Sequence, residues 1–388
     1  MGRTSKRAGA VPRAKAAPRR GRKIRYAVVG LGYIAQVAVL PAFAQAAKNS
    51  ELAALVSDDA VKLKKLAKQY GVARVASYED YDALLASGEI DAVYIALPNH
   101  LHLDYTLRAA RAGVHVLCEK PMAVTEAECR RMTRECEKRA VKLMIAYRLH
   151  FEKANLAAAE LVNSGKLGEA RIFNSVFTMQ VNDADNIRLQ DETGGGVLYD
   201  IGVYCINAAR YLFRDEPTEV FAAAARKRDA RFDEVEEMAS AVMRFPGDRL
   251  ASFTASFGAA RGSSYEVVGT KGALRVAPAY GYAEDLKHVV TIRGKSRERV
   301  FPRGDQFAPQ LLYFSDCVLH DRTPEPSGEE GRLDVRIIEA LYRSAKSGKV
   351  VRLAPAEKAA RPDSDQARAR PPIDKPRLVH ARAPSDKG

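Results

Sequence analysis

From Ile24 to Tyr147 short apolar runs alternate strictly with stretches of helical periodicity. "IRYAVVGLG" is continuous in its apolar positions and ends on glycine, the pattern of a strand buried on both faces. "AQVAVLPAFAQAA" (35–47) predicts a helix that Pro41 bends or restarts, because proline lacks the amide N–H and crowds the preceding turn. A strand at 51–57 and a helix at 59–71, stopped by Gly71, follow. Then come a Ser-capped helix at 77–87, a strand at 90–98 and a helix at 102–113 closed by Gly113. A strand at 114–121, a helix at 124–140 and a strand at 141–147 complete the series. Strict strand–helix alternation predicts an α/β fold with a doubly wound parallel sheet.

After Tyr147 the period changes. The segments 168–181, 219–228, 238–245, 249–257 and 264–276 alternate apolar and polar residues and are joined by short turns. They predict a large open, mostly antiparallel sheet with one exposed face. Helices interrupt it at 152–165, 200–213, 306–320 and 331–347. The expected organisation is a basic flexible arm at 1–23, a dinucleotide-binding domain at 24–147, an α/β substrate and oligomerisation domain at 148–354, and a disordered tail at 355–388. A cleft between the two domains would hold the chemistry.

Composition refines this. The 388 residues are 47% apolar and 28% charged, enough to bury a core, and no run approaches the ~20 apolar residues of a membrane span. Five cysteines (118, 129, 136, 205, 317) without CxxC spacing argue against a disulfide framework or a zinc site and for a reducing compartment. The net charge of +14 invites a nucleic-acid reading, but residues 1–25 supply +10 and 355–388 supply +3, which leaves the middle nearly neutral. A nucleic-acid reader carries its charge on a folded face. Charge confined to Ala-, Pro- and Arg-rich ends reads as solubilising tails. Arg19-Arg20 is followed by basic residues and then by the first strand, not by an export signal's apolar region, so the expected location is cytoplasmic.

"GLGYIA" places Gly30-x-Gly32-x-x-Ala35 between a strand and a helix. The first glycine permits the tight turn, the second lets a pyrophosphate approach, and the helix N-terminus offers free N–H groups. Tyr33 and Ile34 complete this cofactor turn. At the end of the second strand Ser57, with Lys62 beyond it, suits the 2′-phosphate of NADP; shifting the alignment by one would instead give Asp58 to the ribose of NAD. "LPNHLH" follows a strand at the ligand-binding edge, so Leu97, Pro98, Asn99 and His102 are assigned to the cofactor wall; packing or capping is the favoured role for His100 and His102, with catalysis as the alternative. No acidic or cysteine cluster supports a metal at this histidine pair. "CEKP" brings Glu119 and Lys120 to the same edge, where Lys120 would polarise a substrate hydroxyl, or Glu119 would simply neutralise it. "TGGGVLYDIGVY" makes a flexible glycine approach to a helix carrying Asp200 and Tyr204 on one face at i, i+4, with Asn207 at i+7. A phenol titrates near 10 in isolation and needs a cation such as Lys120 to work near neutrality. The alternative for Tyr204 is packing in a core helix.

These stretches, together with "LMIAYRLHF" and "EPSGEEGRLDVRIIEALYRSAKSG", occur in an order and spacing that resembles the glucose–fructose oxidoreductase / inositol dehydrogenase (Gfo/Idh/MocA) family over residues 24–352, closest to its glucose–fructose oxidoreductase branch. The resemblance implies a Rossmann domain, a second domain whose open sheet forms oligomer contacts, and hydride transfer between a sugar C–H and NAD(P) with Lys120 at the active site. Many relatives carry His where this chain has Tyr204, and the Ser57…Lys62 pair matches the NADP-preferring pattern, although Asp58 stands where Gly is expected.

The expectation is an NADP-dependent enzyme, with NAD the less favoured cofactor, that oxidises a glucose-like aldose at C1 to the lactone. Tyr204 would take the hydroxyl proton, Lys120 would bind the same oxygen, and Asp200 would hold the sugar. Arg148 would contact a substrate hydroxyl or form a salt bridge at the domain hinge. A ketose would reoxidise the nucleotide if it stays bound. The alternative is a non-catalytic NADP- and sugar-sensing regulator, which need not keep Lys120 and Tyr204. Expected partners are a sugar and further copies of the chain, as a homodimer or homotetramer through the C-terminal sheet, with no metal, membrane or nucleic acid.

Overall fold

The computed structural model describes residues 22–226, 229–356 and 361–386; of the basic arm, residues 1–21 lie outside the described residues. Six strands form the first sheet: β1 (Ile24–Val29), β2 (Ser50–Val56), β3 (Arg74–Ala76), β4 (Ala92–Ile95), β5 (His115–Cys118) and β6 (Leu143–Ile145). Every neighbouring pair is parallel, in the order β3-β2-β1-β4-β5-β6. Helices cover both faces, so β4 is buried at all four residues and its sequence is apolar throughout. The polypeptide reverses sheet direction between β1 and β4, which opens a crevice at the carboxyl ends of the strands.

Local chemistry sets the helix boundaries. Asp59 accepts the N–H groups of Val61 and Lys62 to start the helix Ala60–Tyr70, and Gly71, at φ 67°, ends it. Thr125 and Glu128 form a reciprocal capping box on the helix Glu126–Lys138. Pro41 restarts a helix, as its ring requires: a widened turn over Ala35–Val39, closed by Leu40 N–H to the Ala35 carbonyl, leads into Leu40–Gln45.

The second sheet has nine strands: β7 (Ala170–Thr178), β8 (Glu219–Ala225), β9 (Met238–Phe245), β10 (Arg249–Ser256), β11 (Gly262–Gly269), β12 (Gly272–Val276), β13 (Leu286–Ile292), β14 (Lys295–Phe301) and β15 (Val351–Arg352). Their order is β14-β13-β12-β11-β7-β10-β9-β8-β15. The β10–β7 pair is parallel and the others are antiparallel. Strand β9 alternates exposed and buried residues without a break, so one face of the sheet is open. The helix Gly328–Ser347 packs on β8 and on the helix Glu126–Lys138, tying the two sheets together.

Four expectations need correction. The segment 264–276 is two strands, β11 and β12, folded back at Thr270-Lys271. Strands β13 and β14 lie where no strand was expected, joined by Arg293 (φ 50°) and Gly294 (φ 74°), whose left-handed pair makes the tight hairpin turn. The short strand β3 was also not foreseen. The fourth concerns the tail. Residues 361–386 run back across the molecule. Arg361 is buried between Glu216 and Glu330, beside the fully buried Arg210 that pairs with the same two carboxylates and Asp334. Gln366 donates to the Glu325 carboxylate at 2.6 Å, and Val379 is buried against Gln36. Side-chain anchors of this kind order a segment whose composition lacks an apolar face.

Candidate active site

A cavity of about 1030 Å³ runs along the carboxyl edge of the parallel sheet and continues into the second domain, at the upper end of the range for small-molecule sites. Gly30, Gly32, Tyr33 and Ile34 line one end. Gly30 has φ 92°, and a Cβ there would lie 2.5 Å from the Ala96 carbonyl oxygen, so only glycine fits the turn against β4. At Gly32 a Cβ would meet nothing within 4 Å, which leaves the backbone open to a ligand.

Ser57 is buried and lines the cavity with Lys62. Asp58 is turned away: its carboxylate accepts the Tyr78 N–H at 2.8 Å. Asp59 is occupied as a helix cap and lies 4.0 Å from Lys62 Nζ. The wall at the end of β2 therefore presents a hydroxyl and an ammonium.

Leu97, Pro98 and Asn99 form the next part of the wall, and Asn99 Nδ2 donates to the Gly194 carbonyl at 2.7 Å, joining this turn to the triglycine segment. His102 does not reach the cavity. It is fully buried, with its ring nitrogens 2.9 Å from the carbonyl oxygens of Pro121 and Leu97, and burial lowers its pKa. Its assignment to the cofactor wall is corrected: His102 braces the turns that form the wall. His100 lies on the exposed rim. Among the described residues no cluster of His, Cys, Asp or Glu suits a metal ion.

Glu119 and Lys120 stand at the end of β5. The Glu119 carboxylate accepts the Tyr94 hydroxyl at 2.6 Å, and burial pushes its pKa up. Lys120 Nζ donates to the Asp200 carbonyl at 2.8 Å and to its Oδ1 at 3.1 Å. Burial works against the ammonium, yet the charges around it, Asp200 foremost, outweigh that and raise its pKa. Lys120 is thus a fixed cation, 5.0 Å from the centre of the Tyr204 ring.

Asp200 and Tyr204 both line the cavity. Asp200 sits in a widened helical turn, Leu198–Gly202, that runs into the helix Val203–Phe213. Its second oxygen, Oδ2, accepts Arg188 Nε at 2.7 Å. Burial would raise this carboxyl's pKa, but Arg188 and Lys120 hold it well below the usual carboxylate range. The carboxylate assigned to the sugar is turned instead to two cations. Asn207 is not on this face: it is buried among His150, Glu330 and Asp334.

The three glycines before this helix serve close packing, where flexibility was expected. Gly195 and Gly196 donate to the carbonyls of Gln190 and Arg188, each at 2.9 Å, and a Cβ on Gly196 would lie 2.4 Å from the Tyr342 hydroxyl. This folds the 187–196 segment tightly and aims Arg188 at Asp200. Sequence reasoning missed Arg188, since one basic residue in a polar loop carries no periodic signal.

Arg148 is buried and, among the described residues, forms no salt bridge at the hinge. It donates to the Gln306 side chain and the Tyr280 carbonyl, and its guanidinium stands 5.0 Å from the Tyr204 ring centre. Two cations thus stand 5.0 Å from the Tyr204 ring centre. Beyond it the cavity extends along Thr178, Gln180, Arg188 and Arg261, while Ile373, Lys375 and Ser385 of the C-terminal segment close the other side.

Two family models match the chain: an oxidoreductase family with an NAD-binding Rossmann fold over residues 24–147, and the GFO/IDH/MocA C-terminal domain over residues 155–275. D-xylose 1-dehydrogenase [NADP(+)] of Haloarcula marismortui is 34% identical over 85% of this chain and 93% of its own length. The crystal structure of aldose-aldose oxidoreductase from Caulobacter crescentus complexed with glycerol is 40% identical, with a TM-score of 0.82 over 86% of this chain and 100% of that one. KijD10, a 3-ketoreductase from Actinomadura kijaniata solved with NADP and TDP-benzene, is 29% identical, with a TM-score of 0.76 over 83% and 98%.

Proposed function

The chain belongs to the Gfo/Idh/MocA oxidoreductase family, and from that premise we propose that it is an NADP-dependent enzyme oxidising an aldose at C1 to the lactone. The observation that carries this reading is the Lys120–Asp200–Arg188 group set against Tyr204 in one cavity with the Gly30 turn. The residues fit the dinucleotide. Gly30 and Gly32 leave the turn open to its pyrophosphate, and Ser57 and Lys62 accept a 2′-phosphate where Asp58 is turned away. Leu97, Pro98, Asn99 and Glu119 line the stretch between that turn and Lys120. Bound there, NADP supplies the hydride acceptor.

Tyr204, having passed its own phenolic proton to solvent, accepts the proton of the sugar's C1 hydroxyl at its phenolate oxygen as the C–H bond gives up its hydride to the nicotinamide. Lys120 stabilises the negative charge that develops on that oxygen, acting as a charge that need not reorganise. Asp200 acts through Lys120, as a positioning residue fixed by Arg188. Arg148, with its guanidinium 5.0 Å from the Tyr204 ring centre, helps hold the ring in place.

Substrate choice follows the relatives named for xylose and for aldoses, and the cavity beyond Tyr204 is polar enough to receive several hydroxyls. The same reading makes the chain a homodimer or homotetramer through the open sheet face, where Phe221, Ile172, Val176, Val242 and Leu250 remain 40–43% exposed. Among the described residues no helix is long and apolar enough to cross a membrane, and the five cysteines are buried and unpaired, which supports action in the cytoplasm.

The test is absorbance at 340 nm of purified protein with a panel of aldoses, with and without added NADP⁺. Formation of NADPH with xylose or glucose, and of the matching lactone, is expected. Nucleotide binding without turnover of any aldose would overturn the C1 reaction and favour a ketoreductase or sensor.

A further inference from the structure

The C-terminal segment 361–386 is built into the nucleotide cavity. Gln36 directly follows Ala35, the last residue of the glycine turn, and is almost fully buried. Its amide does three things at once. Nε2 donates to the Leu31 carbonyl at 2.9 Å, inside the glycine turn itself, and to the Val379 carbonyl at 2.8 Å, while Oε1 accepts the Val379 N–H at 2.8 Å. One side chain thus latches the C-terminal segment to the turn that faces the phosphates.

The next residue, His380, places Nδ1 2.8 Å from Asp59 Oδ2, beside Ser57 and Lys62. The chain then crosses to the other domain, where Asn182 donates its N–H to the Pro384 carbonyl at 3.1 Å and its Nδ2 to the Ser385 carbonyl at 2.6 Å. Upstream, Gln45 Nε2 donates to the Pro371 carbonyl at 2.8 Å. Between these anchors Lys375 lines the same cavity as Lys62. The segment is therefore fastened on the Rossmann side, passes over the cavity, and is fastened again on the sheet domain.

We propose that residues 370–386 form a strap that retains the dinucleotide, with Lys375 a further phosphate-binding residue. The inference rests on the NADP reading above. A ligand seated along the Gly30 turn leaves only when the Gln36–Val379 latch opens, so release is limited by that local opening. Lys375 adds a charge-assisted contact that favours a phosphorylated nucleotide over one carrying a free 2′-hydroxyl.

The experiment measures NADPH release by stopped-flow fluorescence, chasing NADPH-loaded full-length protein with excess NADP⁺. It compares the full chain, Val379→Asp, Lys375→Ala, and a chain ending at Ala369, which keeps Arg361 and Gln366 in their buried network. Val379→Asp carries every other residue and charges the latch, so it decides the matter even if the shortened chain folds poorly. Release at least tenfold faster in Val379→Asp, and a several-fold loss of preference for NADPH over NADH in Lys375→Ala, are expected. Release from Val379→Asp at the full-length rate would overturn the strap. Failure of the full-length chain to bind NADPH in equilibrium dialysis would overturn the nucleotide reading itself, a result distinct from an unchanged rate.

Discussion

Replacing Arg188 with leucine removes one of the two cations on Asp200 and leaves the other. Arg188 Nε lies 2.7 Å from one carboxylate oxygen and Lys120 Nζ 3.1 Å from the other, with the arginine side chain 26% and the aspartate 17% exposed. At such spacing two unit charges attract by about 6 kcal/mol at an effective dielectric constant of about 20. Desolvating the pair offsets much of this, so the net is about 2–3 kcal/mol, the range of hydrogen bonds to charged groups. At about 1.4 kcal/mol per pH unit, that equals a movement of about 1.5–2 pH units. The sign follows from the depressed carboxyl of Asp200. Its stabilisation is present above the unfolded carboxyl's value of about 3.9 and is lost as pH falls through the folded value. Without Arg188 the folded value rises toward the unfolded one, so the loss still begins at about 3.9 but ends at a higher pH and is smaller by about 2–3 kcal/mol. Arg188→Leu should therefore lower stability at neutral pH by about 2–3 kcal/mol and flatten the acidic limb of melting temperature, so that its difference from the unsubstituted protein shrinks as pH falls below about 3.9. The kcat/KM should fall at least about tenfold as Lys120 loses its fixed partner. Arg188→Lys should recover most of the limb. An acidic limb in Arg188→Leu that overlays the unsubstituted protein's would refute the charge argument, whatever the activity does.

Tyr204→Phe should reduce kcat by about 10²–10⁴ through loss of proton transfer while NADPH binding, read by fluorescence, changes little. Ser57→Asp places a carboxylate on the wall that carries Lys62 and should lower the NADP over NAD ratio of kcat/KM at least about tenfold, measured by initial rates with both nucleotides. Gly30→Ala forces a Cβ onto the Ala96 carbonyl at a φ of 92° and should cost about 2–3 kcal/mol in denaturant unfolding, with a weaker nucleotide affinity. Ile172 and Leu250 are paired across β7 and β10 on the open sheet face, so changing both to Glu should shift the light-scattering mass to that of a monomer.

The sequence made most of the parallel domain legible because its central strands are covered on both faces and several of its helices carry a cap or a stop in their own residues. Asp59, Thr125 and Gly71 act within four positions of the boundaries they set. The nine-stranded sheet was legible only in the middle, where β9 and β10 alternate cleanly. Strand β14 escaped because its first six residues are exposed, and "KSRERVF" carries the charges that keep an edge strand from pairing further. The C-terminal segment escaped for another reason: it is held by single side chains, such as Gln36 to Val379, whose partners are 343 residues apart. No local pattern can announce a contact of that kind. His102 shows the converse: it stands beside the cofactor turn in sequence, yet only the packing role its position also allows is realised, between the carbonyls of Pro121 and Leu97.

The placement of the charges explains why this wall suits a neutral polyol that loses a proton and a hydride. Lys120 and Arg148 stand 5.0 Å from the Tyr204 ring centre, and the Asp200 carboxylate beside them is fully engaged by Lys120 and Arg188. Glu119, the next carboxyl along the wall, is buried and bonded to the Tyr94 hydroxyl, and burial raises its pKa. The field at the ring is thus net positive before any substrate arrives. A resting sugar hydroxyl gains little from it, whereas an oxygen acquiring negative charge as its proton moves to Tyr204 gains the most. Because Asp200 is held ionised by Arg188, and Lys120 charged by Asp200, the field persists across the neutral range and does not depend on a group that titrates there. That dependence, running from Arg188 through Asp200 to Lys120, makes a loop arginine outside every recognisable motif part of what lets the motif lysine act.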